Sequence, residues 1–367
     1  MWLTIKKRVV AFWLRFEHYF NFCAAAAGFT FDLWLAKRPD SIADNILLLT
    51  YLCIAATIII LLNHKTRQQM DAENPTEPLA LLFLLQFCFG GLANNLLILY
   101  GKSGTLAGSA LFVVLLLGIV LGNEFFRNRY VRLNFNVGVY YLLLLTYVII
   151  AAPTFIFHSI GTAVFIYSGL ISLAIIAVFL IVIRTTVLRG VRERKHFIEV
   201  GGIVAGIFLV FNALYFLDII PPVPLSLKGI GVYHSIMREP SGNYAATYEA
   251  PAWFVFWRDT AATFTIKPGQ SAYCFSAVFA PGKLTAPISH KWQWYDTRTK
   301  EWITKETVSF GILGGRDGGY RGYSIKANLP AGQWRCDVET QNGALIGRMS
   351  FTVIESALPA NLSTTTL

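Results

Sequence analysis

The chain has 367 residues, of which 55% are hydrophobic and only 14% charged. A soluble globular domain carries about 45–50% apolar and about 25% charged residues, so these proportions exclude an ordinary soluble protein and indicate one that lives in a membrane. The formal net charge of +10 divides into 17 Lys+Arg against 11 Asp+Glu through residue 221 and 14 against 10 beyond it, with no basic run in the second part. Nucleic-acid binding is thereby excluded, because it needs a concentrated basic patch.

A helix crossing the hydrocarbon core needs roughly 20 apolar residues at ~1.5 Å each. The first candidate, 18–36 ("HYFNFCAAAAGFTFDLWLA"), contains His18 and Asp32 and reads either as a span or as an amphipathic helix lying in the interface. Plain spans follow at 46–62, 79–99, 106–121, 137–157, 163–183 and 201–220. The loops carrying Lys65 and Arg67, then Arg127, Arg129 and Arg132, then Arg184, Arg189, Arg192, Arg194 and Lys195 are basic, whereas those near Lys102 and His158 are nearly bare. Basic loops stay cytoplasmic, so every second loop is inside. The basic N-terminus is inside too, and seven spans deliver the C-terminal part to the outside. The first span targets the chain without a cleavable signal.

Polar residues within these spans are costly in lipid and face a bundle interior or a cavity. They are Asp32, Gln86, Asn94, Asn95, Glu124, His158 and Asn212. The stretch "GGLANN" at 90–95 reads either as a loosened helix of the kind transporters use or as close helix packing through small residues.

Beyond residue 228 the long apolar blocks give way to turn signals, "KPGQ", "APGK", "DTRTK", "GGRDGG", "PAG" and "QNG". Between them lie seven short runs rich in aromatic and β-branched residues, at 262–266, 272–279, 288–295, 302–312, 320–329, 333–340 and 344–354. That pattern predicts an all-β sandwich. Period-two alternation gives the last strand an inner face of Leu345, Met349, Phe351 and Val353. The strand before it has an inner face of Trp334, Cys336 and Val338. "GGRDGG" at 314–319 is a glycine turn between strands, with Gly318 or Gly319 needing positive φ. It lacks the G-x-x-x-x-G-K-[ST] spacing and the following helix of a phosphate loop. The divisions expected are 1–227, a polytopic membrane domain; 228–260, a connector with an interfacial reading; 261–356, an extracytoplasmic β-sandwich; and 357–367, a flexible tail.

Cys274 and Cys336 fall on strands, with Trp292 between them, in the order of an immunoglobulin-like domain. In an oxidising compartment they pair. Against this, Cys274 alternates with the bulky Tyr273 and Phe275, so the sequence leaves open both a disulfide and two buried thiols.

Catalytic signatures are absent: there is no HExxH, GxSxG or CxxC and no acidic cluster of metal-site spacing, so neither a metal nor a cofactor is expected. The residues that remain as ligand candidates are His290, Trp292, Arg316, Arg321, Arg335 and Arg348, the arginines suiting an anionic glycan or headgroup. For His290 the competing reading is a satisfied core histidine, and for the arginines a solvated strand face. Trp253 and Trp257 in "APAWFVFWRD" suit a sugar site, the membrane interface or the core.

The segments "HKWQWYD", "GGRDGGYRGYSIK", "GQWRCDVET" and "IGRMSFTV" resemble the bacterial membrane family of domain of unknown function 2914. "GFTFDLWLAKRPDSIADN" is similar to the membrane half of such proteins. The resemblance implies a polytopic inner-membrane protein with a C-terminal β-domain; it implies no activity and no catalytic residues. Three functions stand at this point. The first and preferred is a non-enzymatic envelope protein, held among membrane lipids, whose β-domain binds a protein or glycan. The others are a transporter with a path through its polar helix residues and an enzyme acting on lipid-linked glycan.

Overall fold

The computed structural model describes residues 39–68, 79–102, 114, 133–186, 191–217, 219–220, 224–255, 258–267, 269–356 and 361–367. Five helices come first: α1 (Ile42–Gln68), α2 (Leu79–Lys102), α3 (Leu133–Ala152), α4 (Thr162–Thr186) and α5 (Val191–Phe216). All five are long and apolar enough to cross a membrane. They coincide with the spans read at 46–62, 79–99, 137–157, 163–183 and 201–220. The stretch 18–36, and 106–121 apart from Val114, lie outside the described residues, so the described part contains five such helices where the sequence predicts seven.

Local chemistry fixes where α1 begins. The hydroxyl of Ser41 accepts from the Asp44 amide at 3.3 Å, and Asn45 Nδ2 reaches back to the Pro39 carbonyl at 2.9 Å, which satisfies groups the helix itself leaves unpaired. The central helix is α3, whose side chains from Val137 to Ala152 are mostly buried against α1, α2, α4 and α5. By contrast α5 turns Ile198, Leu209 and Val210 outward, as a helix does when its surroundings are themselves apolar. Small residues let the helices close up. A Cβ on Gly91 would lie 2.8 Å from the Tyr51 ring, and one on Gly169 would lie 3.0 Å from Phe208. Helix α2 runs unbroken through 90–95, so "GGLANN" serves packing here.

Among the described residues the β-rich part has eleven strands: β1 (Ser226–Tyr233), β2 (Ser235–Arg238), β3 (Tyr244–Glu249), β4 (Thr263–Ile266), β5 (Ser271–Phe279), β6 (Thr285–Asp296), β7 (Glu301–Leu313), β8 (Tyr320–Ala327), β9 (Gly332–Thr340), β10 (Leu345–Glu355) and β11 (Leu362–Thr366). The seven strands read from the sequence are β4 to β10. They and β1 form a three-stranded sheet β1-β5-β8 and a five-stranded sheet β4-β10-β9-β6-β7, antiparallel except where β4 runs parallel to β10. These two sheets face each other across a core of Val232, Cys274, Trp292, Trp334, Cys336 and Phe351.

Two segments differ from the sequence reading. The stretch read as a connector, 228–260, holds most of β1 and all of β2 and β3, and the stretch read as a flexible tail contains β11. Strands β11, β3 and β2 make a third sheet. Its residues Ile236, Ala246, Tyr244 and Tyr248 gather with Tyr233, Phe275, Tyr273 and Tyr323 in a second core. Strand β5 is therefore covered on both faces. Cys274 points into one core while its bulky neighbours Tyr273 and Phe275 point into the other, so the aromatics do not force the cysteine outward.

Among the described residues, several hydrogen bonds tie the helices to the β-rich part. Asp40 Oδ2 accepts from the Gly282 amide at 3.0 Å, and Asn342 Nδ2 donates to Thr162 Oγ1 at 3.0 Å. Between α3 and α4 the chain makes a π-helical turn, Pro153–Phe157, and His158 follows at φ 51°. The His158 carbonyl then accepts from the Thr285 amide at 3.2 Å, and Ser159 bridges to Thr285 in parallel. The helix connection thus continues onto the first residue of β6.

Candidate functional site

Strands β6 and β9 are neighbours in the five-stranded sheet, with Trp292 opposite Cys336 and Gln293 opposite Arg335. Because side chains alternate along a strand, the same residues supply two unlike faces.

The inner face is closed. Cys274 and Cys336 are joined by a disulfide. His290 is 0% exposed; its Nε2 lies 2.7 Å from Ser276 Oγ and its Nδ1 3.0 Å from Ser324 Oγ. Trp292, also 0% exposed, donates from Nε1 to Ser324 Oγ at 2.9 Å. Every polar atom of the two rings has a partner inside the core, so neither side chain meets a surface that a ligand touches. Burial lowers the His290 pKa to about 4, since a charged imidazolium is costly away from water. The Ser276–His290 pair has the spacing of a nucleophile and its base, yet both groups are sealed between sheets. The ligand atoms of Cys274, His290 and Cys336 lie within 4.8 Å of one another. A disulfide sulfur is not a thiolate, however, so the set does not fit a metal as it stands.

The outer face is open and ordered. Asp337 on β9, 1% exposed, accepts from Arg348 on β10 at 2.7 and 2.6 Å in a two-pronged pair. Arg335 donates from Nε to Gln293 Oε1 at 2.6 Å, and its guanidinium lies 4.3 Å over the Trp302 ring. Gln293 passes the chain on to Thr304 Oγ1 at 3.1 Å. Trp302 meets Tyr295, its cross-strand partner, at 5.2 Å. Lys291 Nζ sits 3.4 Å from both carboxylate oxygens of Glu339. Electrostatics follow from these contacts. The Asp337 hydrogen bonds push the Arg348 pKa up, and burial pushes the Glu339 carboxyl up against the pull of Lys291. Burial also lowers Arg335, with Asp337 opposing. Three cations and two carboxylates balance almost completely, which gives the face fixed donors and acceptors and little net charge.

The sequence candidates therefore separate. Arg335 and Arg348 share the outer face. Arg321 is elsewhere, donating from Nη1 to Asn243 Oδ1 and to the Leu367 carbonyl at 3.0 Å each, where it clamps β11 against the β2–β3 turn. Arg316 is exposed on the glycine turn. In that turn Gly319 has φ +82° and Gly315 +102°, so the expectation of positive φ holds for Gly319 and not for Gly318. The four arginines reach three separate places and form no common anion site. Among the membrane-part candidates, Asn94 and Asn95 are buried, and Asn95 Nδ2 donates to the Gly91 carbonyl at 2.9 Å. Asn212 donates to the Phe208 carbonyl at 2.8 Å. His158 ends the π-helical turn. Asp32 and Glu124 lie outside the described residues, as does Trp257, while Trp253 is 93% exposed. The sequence reading missed Tyr295, Trp302, Gln293 and Asp337. Their signal was present in the alternation of "KWQWYD" and "WRCDVE", where Lys291, Gln293 and Tyr295 oppose Trp292 and Trp294.

Fold and site together define a class: a β-rich domain with a pre-ordered polar and aromatic sheet face, carried on helices of membrane-crossing length. Residues 285–353, which run from the start of β6 into β10, match the family described as Protein of unknown function (DUF2914). Both faces just described lie largely within the matched segment. No curated protein matches the chain. Five solved chains do. One is the Pseudomonas fluorescens alkylpurine DNA glycosylase AlkC bound to DNA containing an abasic site analog, 11% identical, covering 84% of this chain and 98% of that one with a TM-score of 0.19. At that score the likeness carries no argument.

Proposed function

We propose that this is a multi-pass membrane protein whose β-domain binds a partner protein on the outer face of β10-β9-β6-β7. The observation that carries the reading is the stack of Arg335 on Trp302 beside Tyr295, framed by Gln293, Thr304 and the Arg348–Asp337 pair. Trp, Tyr and Arg are the residues in which binding energy concentrates at protein interfaces. Here their side chains are already fixed, so less conformational freedom remains to be lost on association. The near-balance of charge favours a polar, weakly charged partner surface over an anionic glycan or headgroup.

The inner face supports an immunoglobulin-like reading of the sandwich: a disulfide from β5 to β9 packs near Trp292 on β6, and β4 runs parallel to β10. Charge placement supports the membrane orientation. The β-domain ties fall at Asp40 before α1, at His158 and Ser159 between α3 and α4, and at Thr162 opening α4. Lys65, Arg67 and Arg184 sit at the opposite ends of α1 and α4. With basic ends cytoplasmic, the β-domain is extracytoplasmic, in an inner membrane if the host is bacterial as the family resemblance implies.

A photo-crosslinking amino acid at Thr304, in the full-length protein in its native membrane, tests the binding face. A single discrete protein adduct is expected at Thr304 and none at Arg316, with the Thr304 adduct lost on Trp302→Ala. Equal adducts at both positions, or none at Thr304, contradict the reading.

A further inference from the structure

Where the helices meet the β-domain there is a partly open cavity of about 200 Å³. Its apolar side, here the floor, includes Ile149 of α3, Val164 and Phe165 of α4 and Phe216 at the end of α5; its polar side, here the rim, includes Thr162, Tyr215, Thr340, Gln341 and Asn342. Among the described residues the lining contains no charged side chain. Taking roughly 30 Å³ for a water-sized or methylene-sized group, the space holds about six or seven of them. A polar group lying against that floor would stay unpaired, whereas one at the rim would find partners, so the space suits an occupant with an apolar part and one polar junction.

Three independent features bear on what that occupant is. Next in sequence to the cavity residues Pro153 and Phe216 lie exposed apolar side chains, Phe155 and Ile156 of the π-helical turn, Phe216 itself at the end of α5 and Leu217 just after it, at 41%, 60%, 60% and 68% exposure. That is where a helix end leaves the hydrocarbon for the headgroup layer. The π-helical turn contributes to the wall: Pro153 lines the cavity, and next to it Thr154 Oγ1 donates back to the Ile150 carbonyl at 2.7 Å. Single π-turns in helices often mark functional positions. The rim atoms Asn342 Nδ2 and Thr162 Oγ1 already bond each other across the boundary between helices and β-domain at 3.0 Å.

From these features we infer that the cavity is a binding site for the first carbons, about six or seven, of one acyl chain of a membrane glycerolipid, which enters sideways from the bilayer with its ester region at the Thr162–Asn342 rim and the rest of the chain left in the bilayer. The uncharged lining accepts the part of the lipid common to all headgroups, so the site selects for a chain and an ester and leaves headgroup charge unread. The inference rests on the membrane reading above.

The test uses full-length protein in nanodiscs of zwitterionic phosphatidylcholine doped with a phosphatidylcholine that carries a diazirine in one acyl chain. Labelled peptides are mapped by mass spectrometry. At the cavity peptides, around 149–165 and 215–217, labelling should saturate as the probe fraction rises and should fall at least fivefold in Val164→Phe or Ala344→Phe, each of which fills the space. At the outward face of α4, around Val178 and Ile181, labelling should rise in proportion to the probe and ignore both substitutions. Absence of label around Val178 and Ile181 as well would overturn the membrane reading itself. Label there with none at the cavity, or cavity label that never saturates in the wild-type protein, overturns the acyl-chain site alone. Because saturation is read on the unaltered chain, a substitution that fails to fold does not spare the proposal.

Discussion

The two faces of the β9–β6 pair are built by alternate residues of the same two strands, and they do opposite things. Inward lie His290, Trp292 and Cys336, all 0% exposed, with each polar group partnered inside the core. Outward lie Lys291, Tyr295 and Arg335, with Gln293 and Asp337 buried beneath their neighbours on the same face, all equally well partnered but on the side away from the core. Burial, more than residue type, separates the enclosed histidine from the surface arginine here. Polar groups that water cannot reach serve to specify the core, whereas polar groups held in place at a surface are ready for a partner.

The largest effect expected on the inner side comes from the disulfide. Closing a loop across a separation of 62 residues restricts the unfolded chain by about 4 kcal/mol in the chain-entropy account. Cys336→Ala should lower the β-domain's stability by that order, read by pulse proteolysis of the full-length protein in urea. No outer-face substitution should approach it.

Next comes the pH response of His290. Its folded pKa, about 4, is below the ordinary 6.5, so the unfolded state binds the proton more readily. Stability should be level above about pH 6.5, fall as pH drops toward 4, and level off below. The total is about 3 kcal/mol, since each tenfold difference in proton affinity between the folded and unfolded states corresponds to ~1.4 kcal/mol. His290→Gln should flatten that part of the profile. A profile unchanged by this substitution would mean that the inner face is wetter than its burial indicates.

The glycine turn gives a smaller contrast. Gly319 has φ +82° and a Cβ there would stand 2.9 Å from the Val278 carbonyl carbon, while Gly343 has φ +84° and open space around it. Gly343→Ala should cost about 1 kcal/mol for the backbone alone, and Gly319→Ala about 2 kcal/mol or more. Arg316→Ala in the same turn should change stability by about 0.5 kcal/mol or less. The outer face gives a comparably small effect: removing the partly buried Lys291–Glu339 pair by Lys291→Ala should cost under about 1 kcal/mol.

Much of this arrangement is legible in the sequence. Strands β4 to β10 announce themselves through turn residues at both ends and aromatic or β-branched interiors, and the five described helices through length and hydropathy. What escapes has physical reasons. Strand β1, "SLKGIGVY", carries two glycines, and a Cβ on Gly231 would collide with the Tyr233 ring at 2.8 Å; such glycines dilute the strand signal. Strand β11, "LSTTT", is polar and short and is held by pairing with β3, more than a hundred residues away in sequence. Without those strands no third sheet is visible, and β5 has one core too few for its aromatics. Hence the sequence alone could not decide whether Cys274 faced in or out. The ligand candidates mixed both faces: alternation already set Arg335 opposite the inner Trp334 and Cys336, but whether His290 is enclosed depends on Ser276 and Ser324, which only the pairing of distant strands brings to it.

If the outer face binds and the inner face only holds the fold, the two must respond differently to the loss of a tryptophan. The most direct test measures adduct yield at a Thr304 crosslinker and stability by pulse proteolysis in the same membrane preparations of Trp302→Ala and Trp292→Phe. Trp302→Ala should cut the adduct at least tenfold while shifting stability by no more than about 1 kcal/mol. Trp292→Phe strands Ser324 without its indole donor in the core and should cost about 1–3 kcal/mol, with the adduct per folded molecule unchanged. An adduct that survives Trp302→Ala, or that disappears with Trp292→Phe at full folding, would contradict the division between the two faces.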